Sequence, residues 1–237
     1  MLPAFLYIFL GVFDALAFIV LALKMYRMPL FRYKYRIITF AIYISIFSFF
    51  IRVVLQIPKF DLPMQYIFFF LFLRWAMGIK VHTGAFISGA GISAYVSIQL
   101  VLYYIFNIVF NLSHNVLNEN TGMSVYFIQI STIITAYLVA VSLRIFNGGF
   151  SFIAEPPHDF IQREDYSTKT NKMLLIGSIL SFSTIIFMVI ALYAMNSLMC
   201  IILSVFTFGV SYLLSDRGDY EDVRTAVELY RQRNKKG

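Results

Sequence analysis

The stretch that decides the fold is Lys24-Met-Tyr-Arg-Met-Pro-Leu-Phe-Arg-Tyr-Lys-Tyr-Arg36. It carries five cationic residues and no acidic one, and an almost purely apolar run lies on each side of it. A short basic loop between two apolar segments of membrane length is retained on the cytoplasmic side. The stretch therefore predicts two membrane spans that share a cytoplasmic loop.

The composition of the whole chain agrees with that reading. Of the 237 residues, 60% are hydrophobic and 13% are charged, whereas a soluble domain has about 45–50% apolar and about 25% charged residues. We therefore expect an integral membrane protein in contact with the lipid bilayer. The net charge of +7 is explained by the cationic bias of cytoplasmic loops, so we expect no nucleic-acid partner. The single cysteine excludes an internal disulfide.

Apolar runs of about 18 or more residues predict the remaining spans. We expect an all-α bundle of about seven transmembrane helices in residues 1–214, followed by a short amphipathic cytoplasmic tail in residues 215–237. The predicted spans cover residues 4–23, 37–55, 63–77, 81–110, 123–145, 173–194 and 197–214. Only Met195 and Asn196 separate the last two, which predicts an antiparallel hairpin.

The distribution of cationic residues orients this bundle. With the first loop inside, the outer connections contain only Lys59 as a cation, and the other loops and the tail are basic. This asymmetry predicts an N-terminus outside and a C-terminus inside the cell membrane, in a bacterial plasma membrane. A six-span alternative would merge the last two runs and put the basic tail outside.

Two charged residues lie inside predicted spans. Asp14 is near the middle of the first span, where a carboxylate costs roughly 2.5–3.5 kcal/mol to insert. It is either a proton, ion or ligand site, or a neutral acid in an interhelical hydrogen bond. Arg52, near the outer end of the second span, either snorkels to the outer interface, binds an anionic group, or pairs with Asp14.

Three amides complete the candidate ligand site. Gln99 lies deep in the fourth span, Asn107 near the outer end of that span, and Gln129 in the fifth. Such amides hydrogen-bond across helices, and with Asp14 and Arg52 they could line a polar pocket that opens outward. The alternative is that they only hold helices together.

Small residues dominate the start of the fourth span. Gly84, Gly89 and Gly91 lie among alanines and serines. Small side chains let helix backbones approach closely, so we interpret this face as a packing surface. No strand precedes it and no Lys-Ser/Thr pair follows it, so it does not match a phosphate-binding loop.

The sequence contains no recognisable catalytic or metal site. His82, His114 and His158 fall in different connections and form no zinc-binding motif. Cys200 lies in an apolar run without a nearby base, so we expect no cysteine nucleophile. We expect neither a cofactor nor an enzymatic activity.

Several loop segments resemble a known family. They are Met28-Pro-Leu-Phe-Arg-Tyr-Lys34, Phe49-Phe-Ile-Arg52, and Phe150-Ser-Phe-Ile-Ala-Glu-Pro-Pro-His158 before Lys172-Met-Leu-Leu-Ile176. With the layout of the spans, they resemble the N-terminal membrane sensor modules of Firmicute peptide-sensing, accessory-gene-regulator-type histidine kinases. The resemblance implies a module that senses an extracellular signal, often a small peptide, and passes a change to a cytoplasmic helix.

The chain departs from that family because it has no phosphoacceptor helix and no ATP-binding domain. We expect a stand-alone sensor-like module or a piece of a longer chain, with no kinase activity. The function expected is a receptor that binds a peptide or small-molecule signal. It would act through a protein partner at the tail or through a homo-oligomer. The alternatives are a small transporter, or a transport subunit, that uses Asp14, and a structural subunit of a membrane assembly.

Overall fold

The structure is a computed structural model that describes residues 2–110, 116, 119, 121–153, 155–158, 166, 168–194 and 196–234. The described part of the chain forms helices joined by turns and contains no strand. Its seven α-helices are α1 (Leu2–Met25), α2 (Lys34–Phe49), α3 (Asp61–Leu71), α4 (Val81–Phe110), α5 (Met123–Ile145), α6 (Lys169–Tyr193) and α7 (Ser197–Asn234). A π-helical turn extends α2 (Phe50–Val54) and α3 (Phe72–Ala76), and short 3-10 helices (Phe31–Tyr33, Pro58–Phe60) precede them.

Six of these helices are long and apolar enough to cross a membrane, which confirms an all-α membrane protein. They are Ala4–Met25, Phe31–Val54, Val81–Phe110, Met123–Ile145, Lys169–Tyr193 and Ser197–Glu228. The third predicted span, residues 63–77, is helical, but with its π turn it covers only residues 61–76. Pro58 starts a separate 3-10 turn before it, and the left-handed Gly78 (φ 73°) follows its end. This helix is therefore shorter than the other six.

The long central helix α4 organises the bundle. It packs against α1, α3, α5, α6 and α7, and every residue from Phe86 to Tyr95 is buried. A Cβ on Gly89 would lie 2.3 Å from the Cβ of Ser181 on α6, and one on Gly91 would lie 2.5 Å from the Cβ of Ala22 on α1. Only glycine permits these approaches, which confirms the small-residue face as a packing surface.

Basic residues gather at one end of the bundle, which we call the basic end. It contains the connections 24–36 and 74–80 and the segment 144–158. Both α1 and α5 end here, and a residue with a left-handed backbone follows each of them: Arg27 (φ 51°) after α1 and Asn147 (φ 49°) after α5. Arg27 donates to the carbonyls of Asn147 (2.5 Å) and Gly148 (3.3 Å). A cation thereby satisfies carbonyls at the negative end of the α5 dipole.

The segment that follows α5 folds back across the basic end. The Phe150 amide donates to the Met25 carbonyl (2.7 Å), and the His158 amide donates to the Gly78 carbonyl (2.9 Å). The buried Tyr26 hydroxyl lies 3.2 Å from Ser215 Oγ on α7. Hydrogen bonds at the basic end thus connect the end of α1 both to the segment after α5 and to α7. The same segment is also bonded to the turn before α4.

Helix α7 continues without a break into the predicted tail. Residues 215–234, which we call the extension, belong to the predicted amphipathic tail, and they form one helix with the span. No proline interrupts the junction, and Arg224 pairs with Glu228 one turn later (3.0 Å). Asp219 Oδ1 accepts the amides of Ser151 and Phe152, both at 2.7 Å. Lys169 at the start of α6 also forms a salt bridge with Glu221.

Candidate functional site

A polar cavity of about 150 Å³ lies between α1, α2, α3, α4 and α5, at the end of the bundle opposite the basic end. Apolar side chains such as Phe18, Ile44 and Ile92 form part of its wall. Its hydrogen-bonding and charged side chains are those of Tyr7, Asp14, Ser45, Ser48, Arg52, Gln65, Tyr95, Gln99, Glu119 and Gln129. We call it the polar cavity.

Asp14 is held by hydrogen bonds from other helices. Its Oδ1 accepts the Tyr95 hydroxyl of α4 at 2.5 Å, and Gln129 of α5 is a second hydrogen-bonding neighbour. Tyr95 is itself fixed by edge-on contact with Phe18, with ring centroids 6.0 Å apart. Within the described part of the chain, no cation forms a salt bridge with Asp14. Asp14 on α1 is thus hydrogen-bonded to residues of α4 and α5, and its side chain also lines the polar cavity.

Arg52 pairs with an aspartate that the sequence did not single out. Its Nε lies 2.5 Å from Oδ2 of Asp61, which is fully buried at the start of α3. The same oxygen accepts from Ser48 Oγ and Gln65 Nε2, both at 3.0 Å. Asp14 is therefore not the ion-pair partner of Arg52. The Arg52 side chain is 36% exposed, and its position in the cavity wall leaves it available to a ligand.

Local backbone geometry produces this pair. Arg52 lies in the π turn at the end of α2, and the left-handed Gln56 (φ 57°) then reverses the chain. The Ile57 amide donates to the Ile51 carbonyl (3.0 Å), which closes the wide turn. π-helical turns are frequent at functional sites. The reversal brings the first turn of α3 back alongside Arg52, although nine positions separate the two charges.

Four of the five residues predicted for the site line the polar cavity, and Asn107 does not. Gln99 and Gln129 join Asp14 and Arg52 in its wall. The Asn107 amide instead donates to the Tyr103 hydroxyl in its own helix (3.3 Å). Eight residues of helix separate Asn107 from Gln99, about 12 Å along the axis. Whether the four residues bind a ligand stays a prediction.

A second cavity, of about 130 Å³, adjoins the first. Arg52, Leu62, Val96 and Gln99 line both cavities. The rest of its wall comes from Pro58, Leu100, Met188, Val189, Leu192, Tyr193 and Cys200. Apart from Arg52, Gln99 and Tyr193, the side chains that line this cavity are apolar, so we call it the apolar cavity.

Sequence reasoning missed Asp61 and Tyr95, the residues that hold the two charges of the site. Asp61 offered a usable signal, because it is the acidic residue of the connection that follows the isolated Arg52. Tyr95 offered none. It is one of 16 tyrosines, and its pattern does not distinguish a cavity residue from one that packs against lipid.

The histidines and the cysteine do not form a reactive group in the described part of the chain. Cys200 is buried, and its sulfur lies 3.5 Å from the Met188 carbonyl. His82 and His158 line a separate cavity at the basic end, and His114 lies outside the described residues. No cluster of three or more metal-ligating side chains was found among the residues described. The polar cavity offers hydrogen-bonding groups and charge.

No family model matches this chain, and comparisons with curated proteins and with solved structures found no significant match.

Proposed function

We propose that the chain is a membrane receptor-like signalling module that acts by binding, without catalysis. A signal molecule occupies the polar and apolar cavities, and the extension of α7 carries the response to a partner protein or to a second copy. One observation carries this proposal. Helix α7 contributes Cys200 to the wall of the apolar cavity and continues unbroken to the extension.

The continuity of α7 supports transmission along it. Because one helix without a break joins Cys200 to the extension, a displacement at Cys200 is passed on through its backbone. At the basic end, Asp219 binds the Ser151 and Phe152 amides, and Tyr26 lies against Ser215. These contacts give the extension a defined resting position from which a signal can release it.

We further propose seven spans, with the N-terminus outside and the basic end in the cytoplasm. The short α3 supports this count because it runs beside the full length of α2. Asp61 at its start pairs with Arg52, and the Ala76 carbonyl beyond its end accepts from Arg36 at the start of α2. Gathering of the cationic connections at one end supports the orientation, in a bacterial plasma membrane.

Cysteine accessibility tests the topology. In a Cys200→Ser background, Lys34→Cys and Thr225→Cys should be protected from a membrane-impermeant maleimide in intact cells and react after lysis. Lys59→Cys should react in intact cells. Labelling of Thr225→Cys in intact cells would contradict the seven-span orientation.

A truncation tests the signalling role in cells that naturally produce the chain. Removing residues 216–237 should leave membrane insertion intact and change the transcript profile as deletion of the whole chain does. Asp219→Ala should alter the same transcripts, and the exposed Asp222→Ala is its matched control. A truncated chain that reproduces the full-length profile would overturn the proposal.

Asp14 supports a second function, that of a small cation- or proton-coupled transporter. Its carboxyl lies in a cavity wall and forms no salt bridge among the described residues. In that case Asp14→Asn should abolish uptake into proteoliposomes that the unaltered chain supports. The unaltered chain taking up neither protons nor organic cations would eliminate this function.

A further inference from the structure

The two cavities lie next to each other and differ in chemical character. They share the wall residues Arg52, Leu62, Val96 and Gln99. The polar cavity adds carboxyl, amide and hydroxyl groups to this shared wall, and the apolar cavity adds mainly apolar side chains together with the Tyr193 phenol. A ligand that fills both cavities must therefore be amphiphilic.

The size of the cavities limits the ligand. The apolar cavity has a volume of about 130 Å³. An apolar protein cavity of about 150 Å³ accommodates benzene. The apolar part of the ligand is thus a group of about six carbons, and the polar cavity, at about 150 Å³, takes a compact head group.

The charge balance selects the sign of that head group. The Arg52 guanidinium is compensated by Asp61 at 2.5 Å, and the Asp14 carboxylate has no cationic partner of its own among the described residues. Two carboxylates and one guanidinium leave one net negative charge at the partly buried wall of the polar cavity. Glu119, an exposed residue that also lines this cavity, adds to the negative charge. Attraction between opposite charges is stronger at such a wall than in bulk water.

We infer that the two adjoining cavities open into each other and bind one small cationic amphiphile, a primary ammonium group with an apolar substituent of about six carbons. The ammonium donates to Asp14, with Gln99 and Gln129 as further hydrogen-bonding groups. The substituent passes the shared wall and lies against Leu100, Met188 and Cys200. The ligand class is inferred from the cavities themselves. It rests on the proposed receptor function only in the further claim that ligand binding moves α7.

Three probes that carry the same alkyl chain and differ only in the head group test which head group the site prefers. We would measure the binding of n-hexylammonium, hexanoate and 1-hexanol to the full chain in nanodiscs by equilibrium dialysis, with protein-free nanodiscs correcting for partition into lipid. Hexylammonium should bind saturably and more tightly than the other two. Equal or tighter binding of hexanoate would overturn the inference, because it would indicate Arg52 as the head-group site.

Variants in each cavity test the orientation. Asp14→Asn should weaken hexylammonium binding roughly tenfold, as expected when one charge-assisted hydrogen bond is removed. Asp216→Asn removes an exposed acid from the extension and should change nothing. Val189→Phe fills the apolar cavity, so it should weaken hexylammonium binding and leave methylammonium binding unchanged. Unaltered binding to Asp14→Asn would overturn the inference.

Hydrogen exchange of residues 215–234, followed in the same samples, separates this inference from the proposed function. Asp14-dependent binding of hexylammonium with unchanged exchange supports the ligand class and contradicts signalling through α7. Absent hexylammonium binding, together with changed exchange on adding hexanoate, overturns the ligand class and leaves the receptor function standing. Asp14-dependent binding with faster exchange in the extension supports both.

Discussion

Arg52 and Asp61 form an ion pair that joins the end of α2 to the start of α3, with Nε 2.5 Å from Oδ2. Asp61 is fully buried, and Ser48 and Gln65 add two hydrogen bonds to the same oxygen. Three donors thus stabilise one carboxylate at a tight reversal of the chain. The pair fixes the wall that the polar and apolar cavities share.

Replacing Arg52 alone should destabilise the bundle because it leaves Asp61 buried without a compensating charge. Breaking a fully buried pair costs roughly 3–5 kcal/mol. We expect a smaller loss for Arg52→Leu, since the Arg52 side chain is 36% exposed. Unfolding by SDS titration of protein in mixed micelles measures it.

The double variant Arg52→Leu/Asp61→Leu is the control for this experiment. Replacing both charges removes the unpaired group, so much of the lost stability should return. If the losses of the two single variants simply add in the double variant, the two residues do not interact energetically.

Tyr95→Phe should weaken the attachment of α1 to α4 at Asp14. The hydroxyl donates to Asp14 Oδ1 at 2.5 Å, and a hydrogen bond to a charged group contributes roughly 1.5–3 kcal/mol. The exposed Tyr104 lies on the same helix, so Tyr104→Phe is a matched control with little expected effect. Equal unfolding free energies for the two variants would contradict a structural role for Tyr95.

The lengths of the helices were largely predictable from sequence. The predicted bounds of the fourth and fifth spans, 81–110 and 123–145, coincide with those of α4 and α5, because polar residues or glycine interrupt the apolar runs there. The extension was harder to predict. The composition changes abruptly from apolar to charged at Ser215. A helix nevertheless continues wherever its backbone hydrogen bonds propagate, so α7 extends through this change.

Composition also decided which parts of the site could be predicted. Asp14 and Arg52 stand out because a charge in an apolar run is costly, and both line the polar cavity. Asp61 lies in a connection, where acidic residues are common, so only its position soon after Arg52 gave a signal. Gln99 and Asn107 lie at different depths along α4, and this depth determines which amide reaches the cavity. Hydrophobic periodicity in the sequence does not give the depth of a residue relative to the other helices.

Gly91→Ala should destabilise the contact between α1 and α4. The added Cβ would lie 2.5 Å from the Ala22 Cβ, and both residues are on rigid helices. Overpacking of this kind typically costs about 1–3 kcal/mol. At Gly209 on α7 no atom lies within 4 Å of the added Cβ. Gly209→Ala should therefore be neutral or stabilise by up to about 1 kcal/mol, the difference in helix propensity. A Gly91→Ala variant as stable in SDS titration as Gly209→Ala would contradict the close packing.

Asp219→Ala should release the extension of α7 from the segment that follows α5. In the intact chain Asp219 Oδ1 accepts the Ser151 and Phe152 amides at 2.7 Å, and the Phe152 ring packs against the backbone of Gly218. Without the carboxylate both amides lose their acceptor, so their hydrogen exchange should accelerate. We expect faster exchange in residues 215–225 as well, because the ring then loses its anchor. Asp222→Ala, at an exposed position three residues along the same helix, should leave exchange unchanged. If only the Ser151 and Phe152 amides exchanged faster, Asp219 would hold the segment after α5 in place without restraining α7.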